Sequence, residues 1–158
     1  MIKNDGFHKL IINFTPTGMI PTKEITPHVP LSPQEIVKEV LEARQFGISM
    51  VHLHARNQDG QLFCEKEIYS EVINDIRQVD KDLILCVSTS GRFSTEFEKR
   101  SDCLRLEGTS KPDMASLTLS SLNFNKEASI NSPQTIQMLA KMMMEMGIKP
   151  ELLSLIHI

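Results

Sequence analysis

Basic residues are not in excess, long apolar runs are missing, and cysteines are few. Lysine and arginine together number 17 against 20 aspartates and glutamates, a formal net charge of −3. That balance argues against a surface for nucleic acid or an anionic membrane, which needs clustered positive charge. No apolar run approaches the roughly 18 residues of a membrane span. The stretch after Lys9 is too short for the core of a secretion signal, so the cytoplasm is the expected compartment. The cysteines Cys64, Cys86 and Cys103 are odd in number and stand 22 and 17 residues apart, which matches no CxxC metal or redox pattern. They read as reduced thiols used for packing. Walker loops, GxGxxG and GxSxG are also missing.

What is there is ordinary for a globular chain: 158 residues, 41% hydrophobic and 23% charged. Strand-like and helix-like segments alternate. Strands are expected at Lys9–Phe14, Ile48–His54, Leu83–Thr89 and Met114–Leu119, with a fifth from about residue 152. Ser32-Pro33-Gln34-Glu35 reads as a capping box opening a helix that stops at Gly47. Ser132-Pro133 opens another that stops at Gly147. A third helix is expected over Glu65–Val79, with Ile68, Val72, Ile73 and Ile76 as its apolar stripe. A weakly patterned one is expected over Phe93–Leu106. Asn57–Gly60 reads as a turn. Single helices between strands imply right-handed crossovers and a parallel sheet.

The strands recur about every 36 residues, so a closed eight-fold barrel would need about 290 residues. The period fits either a small open sheet or about four units of a barrel and does not choose between them.

The segment Val51-His52-Leu53-His54-Ala55-Arg56 carries the strongest chemical signal. Alternation puts His52 and His54 on one face, at the carboxyl end of a strand where parallel α/β folds place their sites. Two such imidazoles reach one Zn²⁺ at about 2.0–2.1 Å. The spacing equally accommodates two structural histidines bonded to neighbouring loops. Val87-Ser88-Thr89-Ser90-Gly91-Arg92 offers hydroxyls, a glycine and an arginine suited to a carboxylate or phosphate, or simply a Ser/Thr-rich turn with an exposed Arg. Ser116, Thr118, Ser120 and Ser121 give a similar, weaker signal. The methionines at 138, 142, 143, 144 and 146 read as core packing, His28 as a loop residue, and Glu24, Asp59 and Glu65 as solvated carboxylates.

Four motifs stand in order: Asn13-Phe14-Thr15-Pro16-Thr17-Gly18-Met19, His52-Leu53-His54-Ala55-Arg56, Val87-Ser88-Thr89-Ser90-Gly91-Arg92 and Pro112-Asp113-Met114-Ala115-Ser116-Leu117. Together they resemble the amino-terminal half of the β-keto acid cleavage enzymes, over roughly residues 9 to 152. The resemblance implies a (β/α)8 TIM barrel, here truncated to a half-barrel of about four βα units, so that residues 1–158 form one partial domain. It implies a homo-oligomer when full length, a divalent metal, generally zinc, and acetyl-CoA as co-substrate. The implied reaction condenses a β-keto acid with acetyl-CoA, giving acetoacetate and a new acyl-CoA. By the same resemblance His52 and His54 are metal ligands, and Ser88, Gly91 and Ser116 bind substrate.

Two departures from the family pattern carry expectations. Leu153 stands where a catalytic Glu is expected, and the third metal ligand is expected beyond residue 158. Residues 153–158 therefore read as a non-native tail, and the chain by itself is expected to bind zinc weakly and not to turn over. Two other readings stay open: an amidohydrolase-like hydrolase, which usually carries HxH on its first strand rather than its second, and a non-catalytic metal-binding half-barrel. The other departure is Ile20, where members resembling the aminohexanoate-specific enzymes carry a Glu for the substrate amine. An apolar residue cannot pair a cation. The full-length protein is expected to turn over neutral or acidic β-keto acids faster than 3-keto-5-aminohexanoate, and kcat/KM measured on both substrate types checks this.

Overall fold

The structure is a computed structural model that describes residues 10–56, 66–92, 94–125 and 127–154. The first strand, β1 (Asn13–Phe14), is followed by a long loop and α1 (Pro33–Arg44). The helix begins where the sequence predicts. Ser32 accepts from the Glu35 N–H and the Glu35 carboxylate accepts from the Ser32 N–H, closing the capping box. Lys23, then the Leu31 and Ser32 N–H groups, hold the Glu35 carboxyl down at about 2. Next come β2 (Met50–Leu53), α2 (Lys66–Val79), β3 (Ile84–Val87) and α3 (Phe97–Ser101), which passes into a 3-10 turn over Asp102–Arg105. Then follow β4 (Met114–Thr118), a hairpin of β5 (Leu122–Asn123) and β6 (Ala128–Ser129), α4 (Pro133–Glu145) and β7 (Lys149–Leu153). Ser132 caps α4 through the Thr135 N–H at 3.1 Å. Gly47 and Gly147 end their helices at positive φ, 89° and 64°, a conformation side chains disfavour.

The main sheet is parallel in the order β1-β2-β3-β4-β7. Each strand lies beside its predecessor in the sheet, with no reversal of direction, which is barrel order and not doubly wound order. The sheet also curls. In a flat sheet β1 and β7 would stand four inter-strand steps apart, about 19 Å. Here the Asn13 side chain donates to Glu151 at 2.8 Å.

The two faces of the curled sheet have opposite chemistry. Val51, Leu53, Leu85, Val87, Ala115 and Leu117 join Ile36, Val40, Val72, Ile73, Ile76, Leu139 and Met143 in the core between strands and helices. The alternate residues Asn13, His52, Cys86, Ser116 and Glu151 face the concave side, as their pairing register requires.

Several elements differ from the sequence expectation. Of the expected first strand only Asn13–Phe14 is extended into the ladder; Leu10 and Ile11 are exposed, and Lys9 lies outside the described residues. The last strand begins at Lys149, not 152. Pro150 and a charged neighbour hide it in an apolar-run reading, yet the parallel ladder draws on alternate residues and does not need the N–H that Pro150 lacks. The hairpin carries no alternating apolar pattern and is not predicted. The expected helix over 93–106 is a short helix and a 3-10 turn, and Phe93 is not described. Met143 is buried and Met142 and Met146 pack on the core, whereas Met138 and Met144 are exposed. Cys86 and Cys103 are buried thiols. The turn at 57–60, Cys64, Glu65 and residues 155–158 lie outside the described residues.

A buried arginine joins the loop after β3 to the loop after the hairpin. Arg100 is 1% exposed. It donates to the Thr89 carbonyl at 3.0 Å, the Ile130 carbonyl at 3.3 Å and the Asn131 side chain at 2.6 Å. Gly91 sits against it: a Cβ there would lie 2.7 Å from a guanidinium nitrogen and 2.8 Å from the Ile130 carbonyl. Gly91→Ala is expected to destabilise the fold by about 1–3 kcal/mol through overpacking, measured as a lower urea midpoint with an unchanged slope.

Candidate metal centre

His52 and His54 project from the carboxyl end of β2 toward the concave side. Their ring centroids are 4.9 Å apart with the planes tilted by 41°. The expected pair is therefore formed, although β2 ends at Leu53 and His54 sits just beyond it. Burial first, then the neighbouring His52 and Arg56, push the His54 imidazole down to about 3. A neutral ring has a lone pair to offer a metal.

His52 is 8% exposed and is held from behind. Its Nδ1 lies 2.6 Å from the Glu151 carboxylate. An ionised carboxylate only accepts, so Nδ1 carries the proton and donates. Glu151 also accepts from Asn13 Nδ2 at 2.8 Å and from the Cys86 thiol at 3.5 Å. The His52 hydrogen bond is the largest cause of the lowered pKa of this carboxyl, working against desolvation. The ligand atoms of His52, Cys86 and Glu151 lie within 4.8 Å of one another, so these three could also hold an ion. Burial and the Glu151 charge raise the Cys86 pKa far above that of a free thiol, however, and a thiol ligand must ionise. The donor chemistry fits a divalent ion best at the two imidazoles, with the carboxylate behind one of them.

Continuing the register Leu53↔Val87 and Val87↔Ala115 by one residue sets His54, Ser88 and Ser116 in a row across three strands. Ser88 is 4% exposed, and its main chain is braced by the Tyr69 hydroxyl, which donates to its carbonyl at 3.3 Å. The Ser116 hydroxyl accepts from the Thr89 N–H at 3.0 Å, leaving its own hydrogen to donate. Gly91 lies one turn of loop further, against Arg100.

Other residues in the motifs have structural partners. Arg56 turns back to the loop after β1, donating to the Pro21 carbonyl at 2.6 Å and also to that of Gly18. Arg92, expected to be exposed if it held no anion, is instead bonded to Glu127 and lies 3.9 Å over the Phe124 ring. Glu24 and His28 are exposed. Asp59 lies outside the described residues. Sequence reasoning missed Glu151. The period-2 spacing of Glu151 and Leu153 would have placed it on an inward face, had the strand been started at Lys149.

The sequence pattern of the beta-keto acid cleavage enzyme family matches residues 9–154. A 3-keto-5-aminohexanoate cleavage enzyme of Fusobacterium nucleatum is 36% identical over 146 residues, covering 91% of this chain and 52% of that protein. A 3-oxoadipate:acetyl-CoA acetyltransferase of Cupriavidus necator is 37% identical over 142 residues, 90% of this chain and 48% of that protein. The chain thus spans about half the length of these curated relatives. The solved apo structure of ObcA superimposes with a TM-score of 0.72 at 20% identity, over 80% of this chain and 30% of that one. The fold is accordingly that of about half a TIM barrel, and the chain belongs to the beta-keto acid cleavage enzyme family.

Proposed function

We propose that this chain supplies the metal-holding and part of the substrate-holding face of an enzyme that condenses a β-keto acid with acetyl-CoA, releasing acetoacetate and a new acyl-CoA. The observation that carries the reading is the adjacent His52–His54 pair on the concave side, at the carboxyl end of the second strand. That placement also favours this chemistry over an amidohydrolase-like one, whose HxH pair usually lies on the first strand. The names of the relatives, an acetyl-CoA acetyltransferase among them, supply the substrate class.

His52 and His54 would hold the ion through ring nitrogens. A divalent ion there supplies a Lewis acid for a keto oxygen, favouring the enolate-like charge that develops as the adjacent carbon–carbon bond breaks. Ser88 and Ser116, in one row with His54, and the loop at Gly91 would take the carboxylate and keto ends of the substrate. Arg100 holds that loop in place through the Thr89 carbonyl. Ile20, 45% exposed on the loop after β1, stands by the family resemblance where a substrate amine would otherwise be paired, and an apolar side chain cannot pair it. Zinc as the ion, the cytoplasm as compartment and a homo-oligomer as the working form rest on the family resemblance.

The first test is a competition titration with zinc. The chain is expected to bind one ion weakly, with only two imidazole ligands, and His52→Ala or His54→Ala to weaken binding at least tenfold further. In the full-length protein the same substitutions are expected to abolish acetoacetate release from β-keto acid and acetyl-CoA. Undiminished zinc binding in both variants would refute the metal assignment.

The His54 shift gives a second test, in the metal-free chain. Its pKa falls from 6.5 to about 3 on folding, so between those values the unfolded state binds a proton that the folded state does not. Stability therefore falls as the pH drops below about 6.5. Urea unfolding of the wild type from pH 7 to 4 should show this loss, and His54→Gln should flatten it.

A further inference from the structure

We propose that Glu151 is a positioning residue that locks His52 as its Nδ1–H tautomer, so that Nε2 is the nitrogen offered to the site. The proposal rests on the metal reading above and adds a residue, a tautomer and a direction to it.

Glu151 comes from β7, the strand farthest along the sheet from β1 and separated from β2 by two others. Its carboxylate nevertheless crosses the concave side to His52 Nδ1, 2.6 Å away. A hydrogen bond this short, to an acceptor that cannot donate, fixes which nitrogen holds the proton. The other nitrogen is then the one with a free lone pair. Orienting a ligating imidazole by a carboxylate on its far nitrogen is a general device of metal sites, and it raises the basicity of the ligand.

Glu151 is itself fixed. Asn13 Nδ2 donates to Oε1 at 2.8 Å, while His52 and the Cys86 thiol both approach Oε2. With both oxygens engaged, the carboxylate cannot swing toward an ion without breaking contacts to three strands. That is why it is assigned behind the ligand and not as a ligand, although its distance to His52 and Cys86 would permit either.

The test uses the 158-residue chain with 15N-labelled histidine, metal-free at pH 8, together with Glu151→Gln and Glu151→Met. Gln keeps the shape but presents one acceptor oxygen for three donors; Met keeps the bulk and presents none. Circular dichroism confirms that each variant is folded. In the wild type the two-bond 15N–1H spectrum is expected to show His52 protonated at Nδ1 only. In both variants the pattern is expected to move toward the Nε2–H tautomer, with His54 unchanged. Zinc affinity is expected to fall about 10- to 100-fold, the usual effect of losing such a partner.

Wild-type His52 protonated at Nε2, or a tautomer unmoved in both variants, would overturn the proposal. So would complete loss of zinc binding with the tautomer unmoved, which would make Glu151 a ligand. If the tautomer responds as expected while the wild type binds no zinc, the positioning contact stands and the metal reading is what fails.

Discussion

A carboxylate placed inside a curled sheet has to be met by a donor from each strand it faces, because an ionised group out of water and without partners is too costly to keep. Glu151 satisfies this with Asn13 from β1, His52 from β2 and the Cys86 thiol from β3. Its side chain is 16% exposed and that of His52 10%, so neither group is left to solvent. The contact depends on curvature, since the same residues in a flat sheet would be too far apart to touch. The same curvature sets the histidine pair and the Ser88–Ser116 row on one concave surface.

The two faces of the sheet divide the labour. The outward residues make an apolar layer under the helices, and the inward ones carry nearly all the polar chemistry. The loops beyond the strands are then braced from outside the site. Tyr69 reaches from α2 to the Ser88 main chain, Arg100 clasps the Thr89 carbonyl, and Arg56 holds the loop after β1 on either side of Ile20. Polar groups that could be mistaken for ligands because of their motifs are in these cases the supports of others.

Much of this was legible in the sequence, and the reasons are local. Ser32 with Glu35, Ser132 with Pro133, and the glycines at 47 and 147 mark helix ends by hydrogen bonds that span only a few residues. The His52–Leu53–His54 alternation gives a shared face by strand geometry alone. The four family motifs supplied what periodicity did not, namely barrel over open sheet. Glu151 and the hairpin over 122–129 were illegible for a different reason. Nothing beside Glu151 in the sequence announces a partner, and Lys149-Pro150 disguises the strand that carries it. The role of Arg100 was hidden likewise: a charged residue in a weak helical pattern reads as surface until its partners at Thr89, Ile130 and Asn131 are known.

The separation of these partners along the chain has a consequence for how the protein is made. Glu151 is 99 residues from His52 and 138 from Asn13. Contacts of such range form only after long loops have closed, which slows folding. On a ribosome adding about 5–20 residues each second, His52 waits roughly 5–20 s for its anchor to be synthesised. Strand β2 can pair with β3 in that interval, but its imidazole has no fixed tautomer until β7 arrives. The curl that brings β7 across the concave side and the fixing of the His52 imidazole are therefore a single event, and it follows the pairing of β2 with β3.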